Sequence, residues 1–320
     1  MVLLTGATGF IGKNFALKLA QRQRIKILVR KTSDVTLFKE NKNICVVRGG
    51  LEDDLGLAEA LTGVSIVVHC AGKIYGKSLD EFLLTNTRGT ANLVRAMKEK
   101  GINSLLFLSS QSAAGSNQDS NPIDENTQPR PVSWYGLSKK LAEDIIIKSG
   151  LNYTILRPCS VYGPYDFEIL KIIKLLKYGM FPKFGKGERY INLIYVEDLV
   201  NLMAKIVTGD FFKNRLYFVC DGNCYSYSEI IGEIAKILNK SRIIDILIPK
   251  AVALFFGTLN DVFLPEKKRI VGRDKIRELI QDIWLCQNSR LCTELGFIPQ
   301  YSFHEGMRKT IEWYQKNGYL

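Results

Sequence analysis

Short, continuously apolar runs alternate with amphipathic segments along the first half of the chain. The runs read VLLTG, IKILVR, ICVVRGG, SIVVHCAG, SLLFLSS and YTILRP. The segments between them, such as GKNFALKLAQR and TRGTANLVRAMKEKG, have helical periodicity. Uninterrupted apolar strands separated by helices are typical of parallel strands that are buried on both faces. The pattern therefore predicts an α/β fold, a doubly wound parallel sheet with helices on both faces.

The alternation weakens after about residue 160. A helix-like EILKIIKLLKYG and a strand INLIYV follow, and a mostly helical tail begins at YSEIIGEIAKILN. We predict a first domain over residues 1–160, to which later segments at about 190–220 return. Residues 161–320 form mainly a smaller, mostly helical region. This region is expected to cover the carboxyl edge of the sheet, where ligands bind in such folds.

The first predicted strand leads into a glycine-rich turn, LLTGATGFIGKNFALKLA. Gly6 would permit a sharp turn, Gly9 a close approach of the backbone to a pyrophosphate, and Gly12 close packing of the helix on the strand. The helix N-terminus would then hold the phosphates. The turn predicts a dinucleotide site, and a tight turn with no ligand is the alternative. The residues expected to line it are Gly6, Thr8, Gly9, Phe10, Ile11 and Gly12.

The end of the second predicted strand carries two cations. An acidic residue about 20 residues after the turn would bind the ribose of NAD, whereas this chain has Arg30 and Lys31 there. Two cations would attract the 2′-phosphate of NADP, so we predict NADP in preference to NAD. The alternative is that both side chains only solvate the strand end.

Tyr135 stands four positions before Lys139 in the helix-like segment YGLSKKLAEDIIIKSG. Residues at i and i+4 lie on the same helix face, so both side chains are expected in one site. The ammonium of Lys139 is expected to stabilise a phenolate and to lower the pKa of Tyr135 from the usual value of about 10. Tyr135 would then exchange a proton with a substrate hydroxyl while hydride passes to or from a nicotinamide. The spacing alone is a weak signal, and the exposed edge of an ordinary helix is the alternative.

Three serines follow the fifth predicted strand, in SLLFLSSQSAAG, where a hydroxyl would reach the same substrate oxygen. With the glycine-rich turn and the tyrosine–lysine pair, in this order, the serines make a strong signal. The motifs TGATGFIG, HCAG, NTRGTAN, SSQSAAG, YGLSK, LRPCSVYGP and IYVEDLV together resemble the extended short-chain dehydrogenase/reductase superfamily. The resemblance covers residues 1 to about 200 in detail.

The resemblance implies a Rossmann domain that binds a nicotinamide dinucleotide. It makes Tyr135 the acid–base residue and lets Lys139 also hold the nicotinamide ribose. The serine of the family matches Ser110 best, and Ser112 is the alternative. Further cofactor contacts are implied at Ala71, Gly72, Asn86 and Pro158. A homodimer through the helices that start near Asn86 and Tyr135 would also be similar to the family.

Members of the superfamily that act on nucleotide sugars carry arginines that clamp the diphosphate, one just before the IYV strand and one in the C-terminal region. This chain has Ile191 and Asn192 before LIYV and lacks the second arginine motif. A diphosphate without its guanidinium clamp loses strong, often bidentate hydrogen bonds. Arg189, two positions away, is not expected to replace them.

An apolar segment, ILIPKAVALFFGTLNDVFL, occupies residues 246–264 and is followed by the basic PEKKRIVGR. One interpretation is a helix that packs in the C-terminal core. Another is an apolar surface near the substrate cleft, as in relatives similar to 3β-hydroxysteroid dehydrogenases and dihydroflavonol reductases. The third, which we expect least, is a contact with a membrane surface.

We therefore predict an NAD(P)-dependent oxidoreductase that interconverts a carbonyl and a secondary alcohol on a largely apolar small molecule. The first alternative is a nucleotide-sugar epimerase or dehydratase with tightly bound NAD. The second is a non-catalytic dinucleotide-binding scaffold or redox sensor. The Tyr135 and Lys139 pair argues against the second, because a scaffold has no chemical need for both.

Composition adds few constraints. The 320 residues carry a formal net charge of +12, but their lysines and arginines are scattered and no nucleic-acid-binding module is apparent. Seven cysteines without a C-x-x-C pair, beside two histidines, predict buried free thiols rather than a disulfide framework or a metal site. The start, MVLLTGATGF, has no basic region or cleavage site of a signal peptide, so we expect a cytoplasmic protein.

Overall fold

A computed structural model describes residues 1–263 and 272–320. The strands are β1 (Val2–Thr5), β2 (Ile25–Val29), β3 (Ile44–Arg48), β4 (Ile66–His69), β5 (Ser104–Leu108), β6 (Asn152–Pro158), β7 (Ser160–Tyr162), β8 (Met180–Phe184), β9 (Tyr190–Ile191), β10 (Leu193–Tyr195), β11 (Arg215–Val219), β12 (Tyr225–Ser226), β13 (Ile244–Ile248) and β14 (Ile283–Trp284). The α-helices are α1 (Phe10–Ala20), α2 (Asp54–Leu61), α3 (Leu79–Phe82), α4 (Gly89–Glu99), α5 (Trp134–Ile147), α6 (Phe167–Lys177), α7 (Val196–Thr208), α8 (Tyr227–Ile237), α9 (Lys250–Phe263), α10 (Arg273–Leu279), α11 (Ser289–Leu295) and α12 (Phe303–Lys316). A π-helical segment, Leu83–Arg88, joins α3 to α4.

Seven parallel strands form the central sheet in the order β3-β2-β1-β4-β5-β6-β11. Leu4 of β1 pairs with Ile27 of β2 on one side and with Val68 of β4 on the other. The chain runs outward from β1 to β3, returns to β4 and continues to the opposite edge. This reversal opens a crevice at the carboxyl ends of β1 and β4. The predicted α/β fold, a doubly wound sheet with helices on both faces, is confirmed.

The two faces of the sheet carry separate apolar cores. Leu3 packs in the core that includes buried residues of α2, α4 and α5. Leu4, the next residue, packs in the core that includes buried residues of α1 and α7. Successive side chains of a strand point to opposite faces, so a strand covered on both sides must be apolar at every position. This is why the central strands are continuous apolar runs.

The later part of the chain adds smaller sheets, in which β7 pairs with β10, β8 with β13, and β9 with β12 and β14. The predicted strand INLIYV is divided, because Asn192 separates β9 from β10. The Asn192 side chain accepts a hydrogen bond from the Cys286 N–H at 2.6 Å and donates one to the Asn223 carbonyl at 2.6 Å. From the region predicted to return to the first domain, β11 joins the central sheet beside β6. The domain boundaries themselves stay a prediction.

The apolar segment 246–264 does not form a fully buried core helix. Its first residues belong to β13, and its larger part forms α9, in which only Ala253 and Gly257 are buried. The interpretation as a helix of the C-terminal core therefore holds only for one side of α9, which packs on α10 at Gly257, because Phe255, Phe256 and Phe263 are exposed. Leu264 and the basic flank up to residue 271 lie outside the described residues. None of the described helices is long and apolar enough to cross a bilayer.

Candidate active site

The glycine-rich turn joins β1 to α1 in a conformation that excludes side chains. Gly6 has a φ of +77°, and a Cβ there would lie 2.5 Å from the backbone nitrogen of Ala71. A Cβ on Gly12 would lie 2.1 Å from the Gly6 carbonyl oxygen. The Gly9 N–H donates to the same oxygen at 3.1 Å. Contact of α1 with the turn and of the turn with the end of β4 therefore requires glycine at both positions.

The N-terminus of α1 has the properties of an anion site. Its N-cap is Gly9, which supplies no capping side chain, and the first turn contains no acidic residue. The first N–H groups of a helix lack intrahelical acceptors, and the helix dipole makes this end positive. The predicted residues Thr8, Phe10 and Ile11 lie in this turn and are partly buried. The turn therefore fits the pyrophosphate of a dinucleotide.

Arg30 and Lys31 directly follow β2, as predicted, and both are exposed. Their loop is fastened from the neighbouring strand, because the Arg48 guanidinium donates to the carbonyls of Arg30 at 3.0 Å and Ser33 at 2.7 Å. Both cations are thus held at the crevice end of the sheet. This placement is compatible with either dinucleotide, and the preference for NADP stays a prediction.

Asn86 fixes the segment that follows β4. Its side chain is buried, accepts from the Lys73 N–H at 2.7 Å and donates to the Lys73 carbonyl at 2.9 Å. It also donates to the Ser138 hydroxyl at 2.9 Å. Ala71 and Gly72 lie just before this contact, and a Cβ on Gly72 would be 3.4 Å from the Asn86 oxygen. Asn86 therefore holds the loop against α5, with its polar atoms used inside the protein.

Tyr135 and Ser110 meet at the start of α5. The helix is capped by Ser133, whose hydroxyl accepts from the Gly136 N–H at 2.9 Å, and this places Tyr135 in the first turn. Ser110 lies close enough to the phenol to lower the pKa of Tyr135. Ser112 instead lowers the pKa of Glu278. Of the two candidate serines, Ser110 is therefore the one that acts on the phenol.

Lys139 lies one turn further along α5 and is almost completely buried. Its ammonium donates to the Leu108 carbonyl at 2.7 Å and stands 4.0 Å from the centroid of the Phe107 ring. Burial lowers the pKa of Lys139 to about 8, while the carboxylate of Glu143 and the thiol of Cys70 oppose this shift. Lys139 therefore reaches across to the end of β5, beneath the serine segment.

The phenol of Tyr135 is harder to ionise than the sequence suggests. Burial, followed by the negative charge of Glu278, raises the pKa of Tyr135 to about 12. The hydrogen bond from Ser110 and the positive charge of Lys275 act in the opposite direction. The expected lowering of the Tyr135 pKa by Lys139 is not observed, because the ammonium of Lys139 is directed to the Leu108 carbonyl. The cation that acts on the phenol is Lys275.

Helix α10 contributes a cluster of charges that the sequence did not reveal. The carboxylate of Asp274 accepts from the backbone N–H groups of Trp134 at 2.7 Å and Tyr135 at 3.1 Å. Glu278 accepts from the Ser133 hydroxyl at 2.7 Å and pairs with Lys275 at 2.9 Å. The available signal was the i, i+4 spacing of Asp274 and Glu278, which predicts two carboxylates on one face. These carboxylates fasten the helix that carries the candidate tyrosine.

A second group that the sequence missed is the buried ion pair of Glu143 and Arg157. The guanidinium donates to both carboxylate oxygens, at 2.9 and 2.6 Å, and the two side chains are 1% and 4% exposed. The Ser109 hydroxyl donates to the same carboxylate at 2.5 Å. Glu143 lies four residues after Lys139, so it continues the face of α5 that carries Tyr135 and Lys139. Its ion pair with Arg157 joins this face to β6, where Pro158 is the last residue.

The side chain of Arg189 is buried in the protein interior. It is 3% exposed, and its guanidinium donates to the carbonyls of Leu279 and Phe184 and lies 3.9 Å from Asp282. A guanidinium that is buried and turned toward two backbone carbonyls does not present its donors to a bound diphosphate. This agrees with the expectation that Arg189 does not replace the missing arginines.

His69 and the cysteines behave as structural groups. His69 is fully buried between the hydroxyls of Thr5 at 2.7 Å and Thr90 at 2.9 Å, and desolvation lowers its pKa to about 3. The cysteines are free thiols, but Cys45 and Cys224 are exposed, so the prediction that all are buried is wrong for these two. Within residues 1–263 and 272–320, no cluster of His, Cys, Asp and Glu is arranged to hold a metal ion.

Comparison with known proteins places these features in context. The model of the NAD dependent epimerase/dehydratase family matches residues 2–219. The ceramide reductase of Caulobacter vibrioides is 27% identical over 100% of this chain and 96% of its own length. The N-acetyl-alpha-D-glucosaminyl-diphospho-ditrans,octacis-undecaprenol 4-epimerase of Escherichia coli O157:H7 is 25% identical over 98% and 94% of the two chains. The crystal structure of dTDP-glucose 4,6-dehydratase from Bacillus anthracis in complex with NAD has a TM-score of 0.80 at 22% identity, covering 99% and 96%.

Proposed function

From the premise that the chain belongs to the NAD dependent epimerase/dehydratase family, we propose that it is an NAD(P)-dependent reductase or dehydrogenase. It interconverts a carbonyl and a secondary alcohol on a largely apolar substrate. Its family relatives are reductases, epimerases and dehydratases, and all three reactions need a hydride step and a proton step at neighbouring atoms.

The proposal of an apolar substrate rests on the burial of Arg189, which cannot bind a diphosphate in its present position. Its guanidinium is held by two backbone carbonyls, and Ile191 and Asn192 stand where nucleotide-sugar enzymes carry a clamping arginine. A diphosphate bound here would lose its usual charge-assisted hydrogen bonds. The name of the ceramide reductase, a relative of full length, supports a long-chain substrate for this chain as well.

The chain's own residues account for the proton and for orientation. The α1 N-terminus and the turn around Gly9 would bind the pyrophosphate, and Lys139 would hold the nicotinamide ribose. A bound nicotinamide dinucleotide would supply or accept the hydride. Tyr135 would exchange the proton with the substrate oxygen, and Ser110, which lowers the pKa of the phenol, would orient that oxygen. A neutral phenol is the form that donates a proton in the direction of reduction.

Lys275 would assist Tyr135 through its positive charge. Its ammonium lowers the pKa of Tyr135, against the effects of burial and of Glu278. In the direction of oxidation, where the phenolate is the base, this cation would favour the active form. The C-terminal region would thus contribute to the acid–base group as well as to substrate binding.

We also propose NADP in preference to NAD. Arg30 and Lys31 are exposed at the end of β2, and a 2′-phosphate would gain charge-assisted contacts from them. The dehydratase with the same fold binds NAD, so the preference depends on these two side chains.

A second candidate is a 4-epimerase of a lipid-linked sugar. The undecaprenol-linked epimerase aligns over nearly the full length of both chains. Its reaction would use the same tyrosine, but the dinucleotide would be reduced and reoxidised within one cycle. A retained cofactor and no net change in reduced nicotinamide during turnover distinguish this candidate from a reductase.

The test is reduction of long-chain and polycyclic ketones by the purified protein, followed by the absorbance of NADPH and NADH. Tyr135→Phe should lower turnover by roughly 10²- to 10⁴-fold with nearly unchanged cofactor binding, because only the exchangeable proton is removed. Tyr153→Phe, a tyrosine at the start of β6 outside the site, is the matched control. Equal turnover of Tyr135→Phe and the wild-type protein would refute the assignment of the phenol.

A further inference from the structure

Helix α9 has an inverted amphipathic pattern. Its buried residues are small, Ala253 and Gly257, whereas five of its large apolar side chains are exposed. Phe255, Phe256 and Phe263 are 61%, 59% and 74% exposed. A surface helix of a globular protein normally turns its large apolar side chains toward the core.

The exposed side chains of α9 share one face. Val252, Phe255, Phe256, Val262 and Phe263 are all exposed, and their spacings of three, four and seven residues place them on one side of a helix. On the opposite side, a Cβ on Gly257 would lie 2.5 Å from Ile276 of α10. The helix is therefore pressed closely onto α10, and its large side chains remain on the surface.

The neighbouring strand pair extends this surface. Ile244 and Ile246 of β13 are 58% and 45% exposed. Ile244 pairs with Met180 of β8, which is 37% exposed. We call the exposed residues of α9 together with Ile244, Ile246 and Met180 the apolar face. Many large apolar side chains exposed in one part of a protein commonly mark an interaction site.

Cations flank the strand end of the apolar face. Lys240 and Arg242 are exposed just before β13, and Lys174 and Lys177 are exposed at the end of α6, just before β8. The whole chain has a formal net charge of +12. Large exposed apolar side chains beside exposed lysines and arginines are the combination that binds the interface of an anionic bilayer.

The apolar face is also one helix away from the candidate active site. Helix α9 packs on α10 at Gly257, and Asp274 of α10 accepts from the backbone N–H of Tyr135. The described length of α9 is 14 residues. Such a helix is about 21 Å long and would lie along a bilayer of about 30 Å rather than cross it.

We propose that the apolar face docks on the anionic surface of a phospholipid bilayer. Docking places the α9 phenylalanines among the acyl chains, with the flanking cations at the headgroups. It brings the carboxyl edge of the sheet to the membrane, where a long-chain substrate resides. The docking surface goes beyond the proposed reaction and is tested without substrate or cofactor.

The experiment is cosedimentation of the full chain with vesicles, either phosphatidylcholine alone or phosphatidylcholine with an equal part of phosphatidylglycerol. The wild-type protein is expected to bind the anionic vesicles more tightly, and more weakly at raised salt. The double variant Phe255→Ser/Phe256→Ser should lower the partition coefficient by about 10- to 100-fold, since two large apolar side chains no longer enter the bilayer.

The matched control is Leu55→Ser on α2, because Leu55 is 84% exposed and lies outside the apolar face. It should bind vesicles as the wild-type protein does. Both variants should keep the wild-type circular dichroism spectrum and Tm, since the changed side chains are exposed. The proposal is overturned if the wild-type protein does not bind anionic vesicles or if the double variant binds equally well. It is also overturned if the protein is a dimer that Phe255→Ser/Phe256→Ser converts to a monomer, because a second copy would then cover the face.

Discussion

The buried pair of Glu143 and Arg157 yields a stability prediction that the structure makes quantitative. Glu143→Gln keeps the shape of the side chain and removes its charge. The glutamine amide would place N–H donors against the guanidinium, where the carboxylate now accepts two hydrogen bonds at 2.9 and 2.6 Å. Arg157 would remain 4% exposed with an uncompensated charge. Breaking such a buried pair costs about 3–5 kcal/mol.

The assay is urea unfolding followed by circular dichroism, with the free energy of unfolding compared at equal m values. Asp144→Asn is the matched control, because Asp144 lies beside Glu143 in the sequence and pairs with Lys140 at 2.6 Å, with the two side chains partly exposed to solvent. Loss of that partly exposed pair should cost about 1 kcal/mol or less. A Glu143→Leu/Arg157→Met double variant should recover much of the loss, since no buried charge is left without a partner.

The reasoning is refuted if Glu143→Gln loses no more stability than Asp144→Asn. The same variant also bears on Lys139, because the carboxylate of Glu143 raises the Lys139 pKa against the effect of burial. Without it, the pKa of Lys139 should fall further below its present value of about 8. The carboxylate of Glu143 thus affects both the free energy of unfolding and the charge of Lys139 in the candidate site.

Two further predictions concern His69 and Arg30. The His69 pKa is about 3 in the folded chain and about 6.5 when unfolded, so the unfolded state binds more protons between these values and stability falls as the pH drops. From pH 7 to pH 5, His69 should lower the free energy of unfolding of the wild-type protein by about 2 kcal/mol. The free energy of unfolding of His69→Gln, measured in urea, should not show this loss. An equal loss in the wild-type protein and in the variant would contradict the prediction. Arg30→Asp should shift the ratio of the NADPH and NADH dissociation constants toward NADH, measured by fluorescence titration, and an unmoved ratio would exclude Arg30 from the 2′-phosphate site.

The sequence predicted the central sheet well because its physical cause is local. A strand covered on both faces is apolar at every position, and the turn at Gly6 and Gly12 must carry glycine. The division of INLIYV at Asn192 was not predictable, because it depends on hydrogen bonds to Cys286 and Asn223, which are distant in the sequence. Helix α9 was apolar enough for a core helix, and only its tertiary contacts reveal which face is covered.

The candidate site was predicted only in part, because some of its features follow from local spacing and others from long-range packing. The spacing of Tyr135 and Lys139 follows from the helix period, and it placed both in one region. The direction of the Lys139 ammonium, toward the Leu108 carbonyl, depends on the packing of α5 on β5. Asp274, which holds the backbone of Tyr135, lies 139 residues further along the chain. No spacing rule reaches so far, so the charges that act on the phenol were missed.

Helix α10 connects two properties that appear separate in the sequence. Through Asp274 and Glu278 it holds the start of α5, and through Ile276 it receives the small face of α9. Because Gly257 leaves no room between α9 and α10, a displacement of α9 at a membrane must move α10 or be resisted by it. Lys275, between Asp274 and Ile276 in the sequence, lowers the pKa of the phenol. Under the proposed docking, a bilayer that holds α9 would therefore restrain α10 and the position of Lys275, and so link membrane binding to the pKa of Tyr135.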